Sequence, residues 1–478
     1  MAREDEMLKE RLKKLGELKK LKINPYPYSF DKKNNASELQ EKYKKLKAEE
    51  KTKDKASVAG RLISIRLMGK INFAHLQDES GKIQIVIQED VIGKKKLEFF
   101  SKYIDSGDIA GIEGIIFRTK RGELSILAEN IEILTKSLLP LPEKWHGLQD
   151  KEERYRLRYL DLIANPEIKK LFKKRSEIVK SLRDFLVNRN FMEVDTPVLQ
   201  PLYGGAKAKP FMTHYNVYHS DVYLRIAPEL YLKRLLVGGF EKVFEFARCF
   251  RNEGANWDHN PEFTNLEFYQ AYIDYNELMN IVEDLIIEAA KKVNGKAEIE
   301  REGKKIAFIK PFKRITFKEI TKGKMTDEAF KEAVKNIVEP TFIIDYPIEI
   351  SPLAKKKDEK TVQRFQLIVA GIEIANAFSE LNDPIDQAER FKEQEKIKGE
   401  EKHKYDKEFV TSLEYGMPPA AGCGIGVERL VMLLTGSSSI REILFFPFMK
   451  SEITPDTKEK IIKKEEERLS KREKKHKK

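Results

Sequence analysis

This sequence is short of everything a disulfide scaffold, a thiolate zinc site or a membrane span would need. Its 478 residues include only two cysteines, Cys249 and Cys423, too few for a disulfide framework or a cysteine-held zinc ion. No apolar run approaches the roughly 18 to 20 residues of a transmembrane helix, so no membrane partner is expected. The opening MAREDEMLKERLKKLGELKK is charged every two or three residues and has no apolar stretch like that of a secretory signal, which predicts a reducing, cytoplasmic setting. No GxxxxGK[ST] string occurs, which argues against a P-loop nucleotide site. Charge, by contrast, is plentiful and uneven. The formal net charge is +12; residues 1–55 hold 17 basic against 11 acidic side chains and residues 458–478 hold 11 against 5, so the chain between them is neutral. Lys-rich ends read as solvated helix or disorder, with a loose hold on a polyanion such as RNA as the functional alternative.

The texture changes along the chain. Leu8, Leu12, Leu15 and Leu18 have helical spacing, and the prolines of NPYPYSF end that helix. From Val58 to about Thr135 short β-rich runs alternate, as in Ile83, Ile85 and Ile87 against Lys82, Gln84 and Gln88. Five such strands in about 80 residues predict a small closed barrel of the OB kind. The organisation expected is a basic helical extension over 1–55, the barrel over 56–140, a linker over 141–164, a second domain over 165–450 and a basic tail over 451–478. The second domain opens with a long helix, EIKKLFKKRSEIVKSLRDFLVNR, and then mixes strands and helices too freely for a doubly wound parallel sheet.

Three segments carry chemistry. RCFRNEGANWDHNPEFTNLEFYQAY (248–272) packs Arg251, Glu253, His259, Glu262, Glu267 and Tyr269 among aromatics. On an antiparallel hairpin Glu267 and Tyr269 would share a face while Phe268 enters the core. GIEIANAFSELNDP (371–384) sets Asn376, Phe378 and Glu380 on one face of a strand-like run, where buried acids require cations. GCGIGVERL reads as a glycine-rich turn leading to a helix that bears Arg429.

FMEVDTPVL (191–199), FRNE (250–253) and GIGVER (424–429) resemble, in order, the three signature motifs of class II aminoacyl-tRNA synthetases. YLRIAPELYLKRLLVGGFEKVFE (223–245), HNPEFT (259–264), EFYQAY (267–272) and ANAFSELNDP (375–384) are similar to the lysine-specific branch of that family. The resemblance implies an α+β chain: an N-terminal OB-fold β-barrel that binds the anticodon, then a class II catalytic domain on an antiparallel β-sheet flanked by helices. It implies ATP, L-lysine and tRNA(Lys) as substrates, Mg2+ accompanying ATP, and a homodimer through the first motif. Carried over residue by residue, Arg251 bridges the lysine carboxylate and the α-phosphate. Arg429 meets the far phosphate and covers the adenine, with Phe263 on its other face. Glu253 reads the adenine amino group, while His259 and Asn260 belong to the ATP site. Glu229 and the Gly205 backbone hold the α-amino group. Glu380 and Tyr269 meet the ε-ammonium, with Glu267, Asn376 and Phe378 beside them. In the barrel, Phe73 offers a stacking platform, flanked by Arg66 and Gln84.

The sequence also departs from the family pattern. Two glutamates seven residues apart usually hold the ATP magnesium, and here those positions read Gln366 and Glu373, so the first is a doubtful ligand that brings no charge. Cys423 replaces a larger side chain, and no step requires it as a nucleophile. An aspartate or asparagine enzyme would need cations or polar donors where this chain has Glu229, Glu267 and Glu380.

Overall fold

The computed structural model describes residues 2–142, 148–396 and 405–450; the expected tail and residues 143–147 of the expected linker lie outside them. Contacts divide the chain into two units, Met1–Leu148 and Gln149–Lys478.

In the first unit β1 (Lys51–Arg66), β2 (Ile71–Gln77), β3 (Lys82–Gln88), β4 (Ile109–Arg118) and β5 (Leu124–Thr135) close a barrel in the order β1-β2-β3-β5-β4. Alternation puts Val58, Leu62, Leu76, Ile83, Ile85, Ile87, Ile112 and Ile126 inside, all fully buried. β1 begins at Lys51, ahead of the expected domain start at 56. The N-terminal helix Ala2–Lys20 is not merely solvated, as its charge suggests. Leu18 packs on Tyr103 and Ile133, and the Arg11 guanidinium donates to the carbonyls of Ser106, Ser137 and Leu139.

The second unit is built on eight strands. β6 (Met192–Glu193), β10 (Lys242–Phe250) and β11 (Glu262–Ala271) come first; β14 (Lys313–Thr316), β15 (Thr341–Pro347), β16 (Thr361–Val369), β17 (Ile372–Ser379) and β18 (Ala420–Gly426) complete the order β14-β15-β16-β17-β18-β11-β10-β6. Pairing is antiparallel except for the outer pairs β14·β15 and β6·β10. A smaller sheet of β7 (Leu199–Gln200), β8 (Met212–Tyr215) and β9 (Ser220–Leu224) and a hairpin of β12 (Glu298–Arg301) with β13 (Lys304–Ala307) accompany it.

One face of the large sheet is apolar: Phe244, Leu266, Phe268, Phe365, Leu367, Ala375, Ala377 and Ile425. It is covered by three amphipathic helices, Pro166–Val187, Tyr275–Asn294 and Val427–Thr435, through Leu182, Phe185, Leu278, Val282, Ile286, Leu430 and Val431. Pro166 opens the first of these, where its missing N–H costs nothing. Asp274 caps the second by accepting from the Asn276 and Glu277 amides, and Gly295 ends it at φ 74°. The other face of the sheet carries the polar residues.

Residues 149–164, expected to be linker, belong to this second unit. Helices Lys151–Arg156 and Arg158–Ala164 fold onto it through Arg158, which is 1% exposed. Its guanidinium donates to Asp161 Oδ2 at 2.6 Å and to the carbonyls of Phe445 and Arg441 at 3.1 and 3.0 Å. Arg158→Met leaves the carbonyls of Phe445, Arg441 and Leu444 without this donor and removes one of the two arginines on Asp161, and is expected to cost ~2 to 4 kcal/mol. The exposed Lys170→Met, which breaks only a surface pair with Glu167, should cost under about 1 kcal/mol. Denaturant titration of the two variants checks the contrast, and equal losses would contradict it.

Candidate active site

The polar face of the sheet floors a cavity of about 390 Å3, a size suited to small molecules. Four strands supply its floor with the two-residue period. β11 contributes Phe263, Asn265, Glu267 and Tyr269, while Phe268 enters the core as expected. β17 contributes Asn376 and Phe378, and β16 contributes Arg364 and Gln366. β18 corrects the sequence reading: GCGIG is a strand and not a turn, and its cavity-facing positions are Gly422, Gly424 and Gly426. A Cβ at Gly422 would collide with the Tyr269 ring and with Glu380 Oε1, and one at Gly424 would lie 3.2 Å from Asn265 Nδ2. Glycine is therefore demanded by close approach. Cys423, on the opposite face, is 1% exposed, and burial followed by the charge of Glu267 pushes its thiol far up, which leaves it inert.

The cavity has two ends of different chemistry. At one end Glu229, Glu267 and Glu380 are 6%, 4% and 1% exposed, with Tyr269 among them. The Tyr269 hydroxyl donates to Glu267 Oε2 at 2.9 Å and Asn265 Nδ2 donates to Glu267 Oε1 at 2.8 Å. Glu229 begins the helix Glu229–Val237, and one turn later Lys233, fully buried, pairs with Glu229 Oε1 at 2.8 Å and with Glu380 Oε2. Glu380 itself is not part of the cavity wall and adjoins it behind Gly422 and Tyr269. Gly205, at φ 83°, lines the cavity beside Glu229. Burial, then the neighbouring charge of Glu229, raises the Glu267 carboxyl to about 8. Burial raises Glu380 to about 8 against the pull of Lys233, and Glu229 is raised for the same first reason.

At the other end Arg251, Glu253, Asp258, His259, Asn260, Phe263, Glu373 and Arg429 come together. The hairpin β10·β11 sends out the loop that holds most of them, and the helix after β18 presents Arg429. The Arg251 guanidinium lies 4.9 Å above the Phe263 ring, and its Nε is a buried donor without a partner. Arg429 meets His259 Nε2 at 3.0 Å and stands 3.7 Å from both the Asp258 and the Glu373 carboxylates. Asn260 donates to the Glu262 carbonyl, and Glu253 accepts from the Lys209 amide at 3.4 Å. Gln366 is held by the Tyr346 hydroxyl, which donates to its Oε1 at 2.8 Å.

Four contributors were missed in the sequence. Lys233, Asp258 and Arg364 sit in segments already singled out or bordering them, yet each has the appearance of an ordinary surface charge. Arg364 donates to Asn376 Oδ1 at 3.0 Å. Glu428, 1% exposed, accepts from Arg175 Nη2 at 3.1 Å and from the Thr264 amide at 2.8 Å.

In the barrel Phe73 is half-buried on the outer surface and not in the core, paired across the ladder with Arg66 and Val86. Gln84 is tied to the barrel, donating to Glu123 Oε2 at 2.6 Å and accepting from the Ser125 hydroxyl at 2.8 Å. His75 lies between Ser64 Oγ and Glu123 Oε1, both at 2.9 Å, a structural position.

A family profile described as tRNA synthetases class II (D, K and N) matches residues 150–450. The chain belongs to the class II tRNA synthetases. An OB-fold nucleic acid binding domain profile matches residues 56–134. Among individual relatives, the lysine–tRNA ligase of Thermotoga maritima is 47% identical over 482 residues, spanning 93% of this chain and 96% of the relative. That of Carboxydothermus hydrogenoformans is 48% identical, over 93% and 98%. That of Fervidobacterium nodosum is 44% identical, over 92% and 94%.

Within this class II synthetase, two carboxyls raised to about 8 are mostly protonated at pH 6 and mostly ionised above 8. An ammonium ligand binds the ionised forms, so binding expels protons below about pH 8, and affinity rises between pH 6 and 8. Titration calorimetry with lysine at pH 6, 7 and 8, in buffers of different ionisation enthalpy, should show at least a tenfold gain and net proton release. A pH-independent affinity would contradict it.

Proposed function

We propose that this chain activates L-lysine with ATP to lysyl-adenylate and pyrophosphate, and then transfers lysine to the 3′ end of tRNA(Lys). The observation that carries this reading is the closed acidic end of the cavity. Glu229, Glu267 and Glu380 are buried around Tyr269 with one internal ammonium among them, a set of acceptors for a diamino acid. An aspartate or asparagine side chain would bring its own oxygens against three carboxylates. The near-half identity to three lysine–tRNA ligases over most of the chain supports the same reading.

The chemistry follows from placement. A lysine whose ammonium groups rest against Glu229, with the Gly205 backbone, and against Glu380 with Tyr269 is oriented along the cavity. Its carboxylate is then directed toward Arg251, whose unpartnered Nε is available to it. A carboxylate oxygen attacks the α-phosphorus, the P–O bond to the β-phosphate breaks, and pyrophosphate leaves. No proton transfer is needed, so positioning and positive charge do the catalysis. Arg251 serves the α-phosphate and Arg429 with His259 the outer phosphates, while Phe263 stacks on the adenine and Glu253 receives its amino group. In the second step a terminal ribose hydroxyl of the tRNA attacks the acyl carbon and AMP departs.

Bound Mg2+ would supply charge neutralisation on the phosphate oxygens. The donor set fits such an ion in company with phosphate: Glu373 offers a carboxylate, and Gln366 an amide oxygen already engaged by Tyr346. Among the described residues no group of three or more His, Cys, Asp or Glu forms a self-contained metal cage. The barrel is assigned to the anticodon, with Phe73 as stacking platform and Arg66 beside it. A homodimer through the first motif is supported by apolar side chains left open around it, among them Met192, Leu199, Met212 and Val217 at 42%, 52%, 64% and 71% exposure. A cytoplasmic setting fits two buried free thiols and the absence, among the described residues, of any helix long and apolar enough to cross a membrane.

ATP–pyrophosphate exchange with each of the twenty amino acids, Mg2+ present and tRNA absent, tests the activity. Exchange with lysine alone is expected, and its absence in a folded protein would overturn the reading. Gln366→Glu should lower the Mg2+ concentration that half-saturates ATP binding by about threefold or more, because a second carboxylate faces the phosphates. Calorimetric ATP titrations at stepped Mg2+ concentrations check this, and superimposable curves would refute it.

A further inference from the structure

The lysine reading uses Glu229 and Glu380 but leaves Lys233 without a task. A fully buried lysine is costly unless paired, and this one is paired twice over. Its ammonium also lies 3.5 Å from the Leu353 carbonyl and 5.2 Å above the Phe378 ring, so the side chain is fixed from several directions. It engages one oxygen of each carboxylate, Glu229 Oε1 and Glu380 Oε2. The other oxygen of each points the opposite way: Glu229 Oε2 toward Gly205, where a Cβ would come within 3.8 Å of it, and Glu380 Oε1 toward Gly422. Both glycines line the cavity. Glu380 Oε1 is buried and accepts no hydrogen bond.

The charges at this end also count. Fully ionised, Glu229, Glu267 and Glu380 against Lys233 leave two negative charges unmatched. A neighbouring pair, Arg225 with Glu245, is internally balanced. Arg364 donates only to neutral partners, Asn376, the Ile350 carbonyl and Ser351, so its charge still bears on Glu229 and reduces the excess to one. One unmatched negative charge is what lysine, with two ammonium groups and one carboxylate, cancels. Without Lys233 a second would stand uncompensated in a buried site.

We propose that Lys233 is a positioning residue for amino-acid selection, holding the free oxygens of Glu229 and Glu380 toward the cavity and fixing the acidic end at the charge that a diamino acid neutralises. The inference rests on the lysine-activation reading above. It separates this lysine from a generic core ion pair, because its effect must fall on one substrate only and must act through the two glutamates.

The test is a double-mutant cycle on Lys233→Met and Glu380→Gln, read by ATP–pyrophosphate exchange and by calorimetry with lysine and with ATP. Lysine-dependent exchange by the unmodified protein establishes the underlying reading; without it both that reading and this one fall. Given that exchange, Lys233→Met should raise the KM for lysine at least tenfold, with the KM for ATP within twofold. In the Glu380→Gln background the same change should cost less than a third as much, because half of what Lys233 holds is already neutral. The double variant, which removes Lys233 together with one of its two carboxylate charges, also provides the comparison with Glu380→Gln if Lys233→Met alone does not fold. An unchanged lysine KM, equal losses for lysine and ATP, or strictly additive effects would each assign Lys233 a purely structural role. In the double variant, a lysine KM further from that of Glu380→Gln than threefold would do the same.

Discussion

Removing three carboxylates from water in one place is the constraint around which the catalytic unit is arranged. An isolated buried carboxylate costs several kcal/mol even after relaxation, and Glu229, Glu267 and Glu380 are all under 10% exposed. The fold meets this in three ways. Lys233 supplies a permanent counter-charge to two of them. Tyr269 and Asn265 donate to the third. Protons account for the remainder, which is why burial lifts Glu267 and Glu380 to about 8. Each device also makes the site specific, because a substrate ammonium can take the place of a proton and the protein ammonium cannot leave.

Another buried carboxylate does mechanical service. Glu428 receives Arg175 from the helix that leads into the first signature segment and the Thr264 amide from the strand of the second, and it stands beside Arg429 in the third. The three signature segments, far apart in sequence, are thus held in register by one side chain. The glycines of β18 complete the arrangement from the opposite direction. They let β18 run close under Tyr269 and Glu380, so the acid cluster can be both packed and open to the cavity.

Much of this was legible in the sequence because strand alternation is local. Glu267 with Tyr269, Asn376 with Phe378, and Ile83 with Ile85 and Ile87 could be assigned to faces from a two-residue period alone. What escaped notice depends on partners distant in sequence. In ELYLKRLLVGG, Lys233 has the same neighbours as any lysine on an amphipathic helix, and only the approach of Glu380, 147 residues on, makes it a buried counter-ion. Arg158 sits in a charged stretch that reads as linker until the segment around Phe445 folds over it. GCGIG read as a turn because glycine is the common turn residue. Nothing local reveals that Tyr269 and Glu380 occupy the volume of the missing side chains.

The phosphate end shows the same principle with signs reversed. Arg429 stands between the carboxylates of Asp258 and Glu373, and against His259, whose other ring nitrogen meets Asp258 at 2.7 Å. Against its partial burial, the His259 hydrogen bond and the Arg429 charge hold Asp258 below the usual carboxylate range. A guanidinium so enclosed is neutralised before any nucleotide arrives. A polyphosphate reaching it exchanges one set of anionic partners for another, and the carboxylate released from Arg429 at Glu373 becomes free to face a cation that travels with the phosphates. Both ends of the cavity therefore rest in a self-neutralised state. Substrate charge enters by substitution, of a proton at one end and of a carboxylate at the other, and discrimination depends on matching the number and position of charges more than on the strength of any one pair.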